Sequence, residues 1–325
     1  MTRGGPTKGD RLRERRNKYR QIYDIFCESP RITTASLASM LKETQNKTEK
    51  LIEEAIKQGI FYYPQLRKRS YSNTRQYTYF LKSPDSFGVF TDLMEDNRVT
   101  YHAKITGYLN VWIVSNQKLD FPDSLIEGYR SDYHFIKAPN QSWDTAIGRI
   151  HEMIDTFDTK EYEPTNYLNL RLHKRIHFPP EYEIMYHYFK TNSRKPLTPL
   201  MRRHKIPTDT IDQFFSNITK LFTVAVPYYP GGISTYEPWL FQIDINYEDF
   251  VIDIFSELPT TSLHFKVNNK LFCYIYGKLE LIRSVTEKKD ICKIQIPWIM
   301  HKLRKRGIIT HEQHGLVDCY WIKPL

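Results

Sequence analysis

The chain has 325 residues and 47 Lys and Arg against 37 Asp and Glu, a formal charge of +10. At about 150 residues per domain, that length suggests two domains or several small ones, enough to bury real cores. A 40% apolar and 14% aromatic content excludes wholesale disorder.

The longest apolar run, Leu221 to Tyr229, contains Pro227 and falls far short of the roughly 20 residues that span a bilayer. The opening MTRGGPTKGD lacks the apolar core of a secretory signal. Cys27, Cys273, Cys292 and Cys319 lie far apart with no CxxC pair, the pattern of reduced thiols in a cytoplasmic protein.

The charge is local. Residues 1–85 hold 18 Lys and Arg against 9 Asp and Glu, while residues 86–325 hold 29 against 28. The densest stretch, Arg11 to Arg20, includes Arg13, Arg15 and Arg16; a second cluster is Arg67, Lys68 and Arg69 with Arg75. Such a focus on a balanced chain points to one polyanion-binding face.

In chain order, apolar spacing predicts a helix over Asp10–Cys27, ended by Pro30, then a short one over Ala35–Leu41. A third follows over Gln45–Gln58, closed by Gly59. Ile60–Tyr63 and Gln76–Leu81 are expected to form a hairpin around a basic tip, Arg67–Arg75. Together these make a winged helix-turn-helix. In that plan the third helix enters the major groove by its N-terminal end, where Gln45, Asn46, Lys47, Thr48 and Lys50 stand as candidate base readers. Arg67, Lys68, Arg69 and Arg75 on the wing, with Arg13, Arg15 and Arg16, are candidate phosphate contacts.

The chain repeats itself. Tyr19-x3-Tyr23-x2-Phe26 recurs as Tyr182-x3-Tyr186-x2-Phe189, an offset of 163, and Leu37 and Pro64 recur as Leu200 and Pro227. His102 and His264 correspond, as do Ile113 and Ile275, and Tyr133–Lys137 resembles Tyr320–Pro324. In copy one the second half reads as strand Tyr77–Leu81, helix Pro84–Met94 and strand Val99–Thr106. A turn at Gly107-Tyr108, strand Leu109–Ser115, a short helix at Leu125 and strand Tyr129–Lys137 complete it. Copy two repeats this with an added basic helix within Ile296–Ile309. Each is a βαββαβ, ferredoxin-like unit, and Ser142–Phe157 is a connector helix. The fold class is thus α+β, two tandem units, each a winged helix-turn-helix followed by a ferredoxin-like βαββαβ domain. The divisions are a basic tail (1–16), winged helix one (17–82), ferredoxin-like domain one (83–140), connector (141–178), winged helix two (179–237) and ferredoxin-like domain two (238–325). The second module, with Asp209 and Asp212 at its reading helix and an uncharged wing over Tyr228–Tyr236, is a degenerate reader.

This layout, with Val99–Val114 as its sharpest segment, resembles the leucine-responsive regulatory protein (Lrp/AsnC) family of transcription regulators. The chain differs in carrying two copies and in having Gly107-Tyr108 where the family has Gly-Asp. The resemblance implies a sequence-specific regulator of double-stranded DNA, paired as a homodimer or as a pseudo-dimer within one chain. It also implies room for a small-molecule effector at residues the sequence does not identify. No enzymatic activity, catalytic residue, cofactor, metal or membrane contact is expected. GxxxxGK[ST] and GxGxxG are absent, and His311-x2-His314 with Cys319, like His173-x3-His177, forms no complete ligand set. Two alternatives stand beside this. Siroheme decarboxylases resemble the same family and work with histidines and arginines around a tetrapyrrole; His102, His134 and His264, on predicted strands, are the candidates here. The other is a winged-helix docking subunit of a transcription assembly.

Overall fold

The computed structural model describes residues 7–278 and 295–323; Met1–Pro6 of the basic tail, Cys292 and Pro324 lie outside them. The chain is α+β. A three-helix unit comes first, α1 (Lys8–Glu28), α2 (Thr34–Leu41) and α3 (Gln45–Lys57), each opened by a threonine: Thr7, Thr33 and Thr44 accept from the backbone three residues on. The basic segment Lys8–Arg16 is no tail: it is the exposed start of α1, held by a Thr7–Asp10 capping box.

The strands of the first copy are β1 (Gln65–Lys68), β2 (Tyr77–Leu81), β3 (Val99–Gly107), β4 (Val111–Ser115), β5 (Ser124–Tyr129) and β6 (His134–Phe135), with α4 (Ser86–Asp92) after β2. Helix α5 (Trp143–Thr156) leads to the second unit. There α6 (Pro180–Phe189), α7 (Thr198–Arg203), α8 (Thr208–Ser216) and α9 (Ile218–Leu221) precede β7 (Phe222–Ala225) and β8 (Tyr236–Ile245). Helix α10 (Glu248–Ser256), β9 (Leu263–Val267), β10 (Lys270–Lys278), α11 (Gln295–Lys305) and β11 (Ile309–Ile322) follow.

Nine strands form one sheet in the order β5-β2-β4-β3-β11-β8-β10-β9-β6. Its two edges meet. Residues 124–135 run as one path, pairing first with β2 and then with β9, and Arg130 bridges Val267 while Ser131 N–H donates to Lys266 O at 2.8 Å. The result is a closed antiparallel barrel of eight staves, four from each copy. Strand β11 plays the mirrored part, lying first on β8 and then on β3. Each copy's last stave thus joins the other copy's second, which is the pseudo-dimer's interface. Closure leaves no bare edge.

Strand alternation sorts the side chains. Phe80, Trp112, Phe265 and Phe272 stack inside the barrel, Phe80 on Phe272 at 4.2 Å. Outside, α5, α10 and α11 cover the staves of copy two with Ile150, Ile154, Val251, Phe255 and Ile299. In copy one the predicted short helix at Leu125 is instead strand β5, and the loop before it packs Leu119 and Phe121 on the sheet where a helix would lie. Gly107 ends β3 rather than making a left-handed turn. It faces Gly315 of β11, and a Cβ on it would stand 2.5 Å from His314 O.

The predicted wing hairpin is not formed. β1 pairs with β7, not with β2, in the register Leu66↔Val224 and Arg67↔Thr223. The pairing extends to Tyr62 N–H on Pro227 O (3.0 Å) and Tyr229 N–H on Ile60 O (2.6 Å). The reason lies in burial: Leu66 and Lys68 alternate into the core around Phe189, Phe214 and Phe222, so each unit's short strand caps the other's. Asp132, 2% exposed, then locks this ribbon to the barrel. It accepts from Ser70 N–H (2.7 Å), Ser70 Oγ (2.9 Å) and Arg69 (2.8 Å), and pairs with Arg171 of the connector.

Two variants test this frame. Gly107→Ala should lower stability by about 1–3 kcal/mol through overpacking of the seam; an unshifted urea midpoint would mean that the seam tolerates a side chain. Asp132→Ala should cost about 3–5 kcal/mol by stranding two half-buried arginines; a loss below 1 kcal/mol in the same titration would show that the lock is dispensable.

Candidate functional site

The barrel mouth, under the β1–β7 ribbon, holds a cavity of about 320 Å³, within the usual range of small-molecule sites. Its walls are the inward-facing ends of the staves: Tyr101 and Thr100 of β3, Trp112 and Val114 of β4, Leu263 of β9, Tyr274 and Tyr276 of β10, Tyr320 and Ile322 of β11, with Tyr133 and Phe135. Tyr62, Gln65, Arg67, Pro227 and Tyr229 of the ribbon roof it, and Tyr186, His187, Lys190 and Thr191, from α6 and the turn after it, close one side. Burial holds the phenols of Tyr101, Tyr229 and Tyr274 well above their ordinary range and pushes Tyr186 up to about 12. All four stay neutral hydrogen-bonding groups at pH 7.

No carboxylate lines this cavity among the described residues. Arg67 donates only to neutral oxygens: Leu66 O (3.0 Å), Lys190 O (3.2 Å) and Gln65 Oε1 (2.6 Å). Arg130, 1% exposed, lies under Tyr133 with its guanidinium 3.6 Å from the ring centroid. It donates to Gln76 Oε1 (2.8 Å), Lys68 O (3.2 Å) and Ser131 O, and its Nε has no acceptor among the described residues. Lys190 donates to Lys323 O. Burial, then Arg67, Lys195 and Lys323, pull its ammonium down to about 8. The nearby carboxylate, Glu183, is already shared by Lys68 (2.7 Å) and His187 Nε2 (3.0 Å). Burial raises its pKa, but the bonds to His187 and Lys68 prevail and hold it at about 2. Glu183, His187 and Lys190 share one helical face by i, i+4 and i, i+3 spacing.

The two copies differ here. Positions 163 residues earlier are Arg20, Asp24 and Cys27. Arg20 and Asp24 form a closed two-bond pair at 3.0 and 2.9 Å, and burial raises the Cys27 thiol to about 11. Of the two equivalent helices, α1 and α6, only α6 turns ionisable groups onto the cavity.

The residues singled out in the sequence lie elsewhere or act otherwise. Gln45, Asn46, Lys47 and Lys50 are exposed on α3, with Lys47 paired to Glu43 (2.9 Å), whereas Thr48 is fully buried. Arg13, Arg15 and Arg16 are exposed on α1, Arg15 lying 3.2 Å from Glu54. Of the wing cations, Lys68 is buried on Glu183, Arg69 is on Asp132, Arg67 roofs the cavity, and Arg75 alone is exposed, over Tyr129. His102, His134 and His264 point to the outer face of the barrel, one residue out of step with the cavity-lining Tyr101, Phe135 and Leu263. His102 packs against Phe90 and Trp321, and His264 faces His134 across the β6–β9 pair. Glu183, His187, Lys190 and Arg130 went unread in the sequence. The helix segment EYEIMYHYFK and the count of 23 tyrosines were the available signals.

Compared with known families and curated proteins, the chain matches none. Two solved structures are similar, each over 90% of this chain and 87% of that one. One is siroheme decarboxylase NirDL, at 11% identity and a TM-score of 0.45; the other is NirDL in co-complex with an iron-uroporphyrin III analogue, at 9% and 0.43. Both are structures of an enzyme. With three of the four wing cations turned inward, the expectation of a DNA-binding transcription regulator without enzymatic activity, and of DNA as its partner, is corrected. No helix among the described residues is long and apolar enough to cross a membrane.

Burial holds the His102 imidazole down to about 4 and the His264 imidazole to about 3, against about 6.5 when unfolded. Both are neutral in the fold, so acid favours the unfolded chain: stability is full above pH 6.5 and declines as pH falls below it. Between pH 6.5 and 5, above the main carboxylate range, the thermal midpoint should fall. It should fall less in His264→Leu; an equal fall in that variant would assign the loss to other groups.

Proposed function

We propose that the chain is an enzyme of small-molecule chemistry whose barrel-mouth cavity takes a flat, polycarboxylated ligand of the tetrapyrrole class. On this reading it is a tandem duplicate of the Lrp/AsnC-like unit turned from DNA to a bound ligand. The observation that carries the reading is the charge imbalance. Arg67 and Lys190 line one end of an aromatic cavity that has no carboxylate among its described lining residues, and Arg130 lies just behind the lining residue Tyr133. Buried cations without counter-ions cost several kcal/mol each, a cost that a carboxylated ligand offsets by supplying the missing anions. The buried Trp112 indole N–H, in the same wall, has no acceptor among the described residues, which also favours a ligand bearing oxygens. The tyrosines and Trp112 offer ring faces for a planar conjugated system. A cavity of this size seats one edge of a macrocycle with its carboxylates.

The chemistry that suits these groups is loss of a side-chain carboxylate as CO2. Arg67 and Lys190 hold the neighbouring carboxylates. The electron pair left on carbon takes a proton, R–CH2–COO⁻ + H⁺ giving R–CH3 + CO2. His187, oriented by Glu183, is the group placed to deliver that proton.

Titration with iron uroporphyrin, followed by its visible absorption band, tests the reading. Saturable binding is expected, weakened 10-fold or more in Arg67→Ala and Arg130→Gln. A porphyrin without carboxylates should bind far less well. Equal binding of the two porphyrins, or arginine variants that bind like the parent, would overturn it.

A further inference from the structure

Among the groups that face the cavity, one has chemistry beyond charge. Lys190 lies at the end of α6 and lines the aromatic cavity, beside Arg67 and on the same helical face as the Glu183–His187 pair. Among the described residues it has no carboxylate partner, and its acceptor there is the Lys323 carbonyl. We propose that Lys190 is a nucleophile that forms an imine with a carboxylated aldehyde or ketone bound in the cavity. Desolvation and an adjacent cation are what turn a lysine into such a nucleophile. The charged groups around it are Arg67, Lys195 and Lys323, opposed by Glu183, and together with burial they bring the amine to about 8.

The step balances. The neutral amine adds its lone pair to the carbonyl carbon, the C=O pair moves to oxygen, and the proton that the attached nitrogen then gives up passes to that oxygen, which restores the nitrogen lone pair. The hydroxyl then leaves as water with a proton from His187, and the nitrogen lone pair forms the C=N bond. The cationic end of the cavity supplies the selection for a carboxylated carbonyl compound, since Arg67 remains in the lining to hold the acid group. The inference rests on the cavity of the reading above but not on the macrocycle, because iron uroporphyrin carries no aldehyde or ketone.

The test uses 4-formylbenzoate with borohydride, which reduces the imine to a stable amine readable by peptide mass mapping. At pH 7.5 a lysine near 8 has roughly two-hundredfold more free amine than one near 10.5. Lys190 should therefore label at least tenfold faster than exposed lysines, with a rate that rises through about pH 8. Lys190→Arg, which keeps the charge and the roof contacts, should lose the rapid label, and His187→Gln should slow it. Benzaldehyde, lacking the carboxylate, should label Lys190 at least fivefold more slowly. Label spread evenly over surface lysines, or undiminished rapid label in a folded Lys190→Arg, would overturn the proposal. If iron uroporphyrin binds while Lys190 stays unlabelled, this inference fails and the ligand reading stands. If Lys190 labels rapidly and iron uroporphyrin does not bind, the macrocycle reading fails and the nucleophile stands.

Discussion

The pairing of β1 with β7 across the barrel mouth governs the rest of the molecule. Two short strands, one from each unit, have no partner within their own hairpins and find it in each other. That exchange places Leu66 N–H on Lys190 O at 2.9 Å, which ties the ribbon to the end of α6. It roofs the barrel, sets Arg67 over the cavity and brings the Glu183–His187–Lys190 face alongside. A free wing, by contrast, would leave the mouth open and those cations in water.

The same pairing explains where much of the N-terminal charge goes. The basic run at residues 67–69 looks like a polyanion-binding tip in the sequence. In the fold it is divided among three internal duties: a cavity cation, a buried ion pair and a contact with Asp132. On the proposed reading, the remaining cavity cation acts on carboxylates of a small ligand rather than on phosphates of a long polymer. The cations at the start of α1 stay exposed.

Much of the frame was legible in the sequence. The helices α1 to α3, the repeat offset near 162 and the staves β2, β3, β4, β8, β9 and β10 follow from apolar periodicity, because local alternation and burial on one face go together. What periodicity does not encode is pairing between distant strands. Nothing in Gln65–Lys68 says that its partner is Phe222–Ala225 rather than Gln76–Leu81. The face of a stave is also set by its register: a shift of one residue separates Tyr101 in the cavity from His102 outside it. The histidines therefore drew attention while the adjacent tyrosines formed the site. His187 escaped for a related reason, since its importance comes from Arg67 and Arg130, more than fifty residues away in the chain.

We propose that a carboxylated ligand enters under the ribbon and satisfies its cations. Hydrogen exchange of the full chain with and without iron uroporphyrin locates the ligand directly. The account predicts added protection at residues 60–68 and 222–229, at the end of α6 and at the upper ends of β3, β4 and β10. Protection confined to the exposed surfaces of α1 and α3, or absent at saturating ligand, would contradict it.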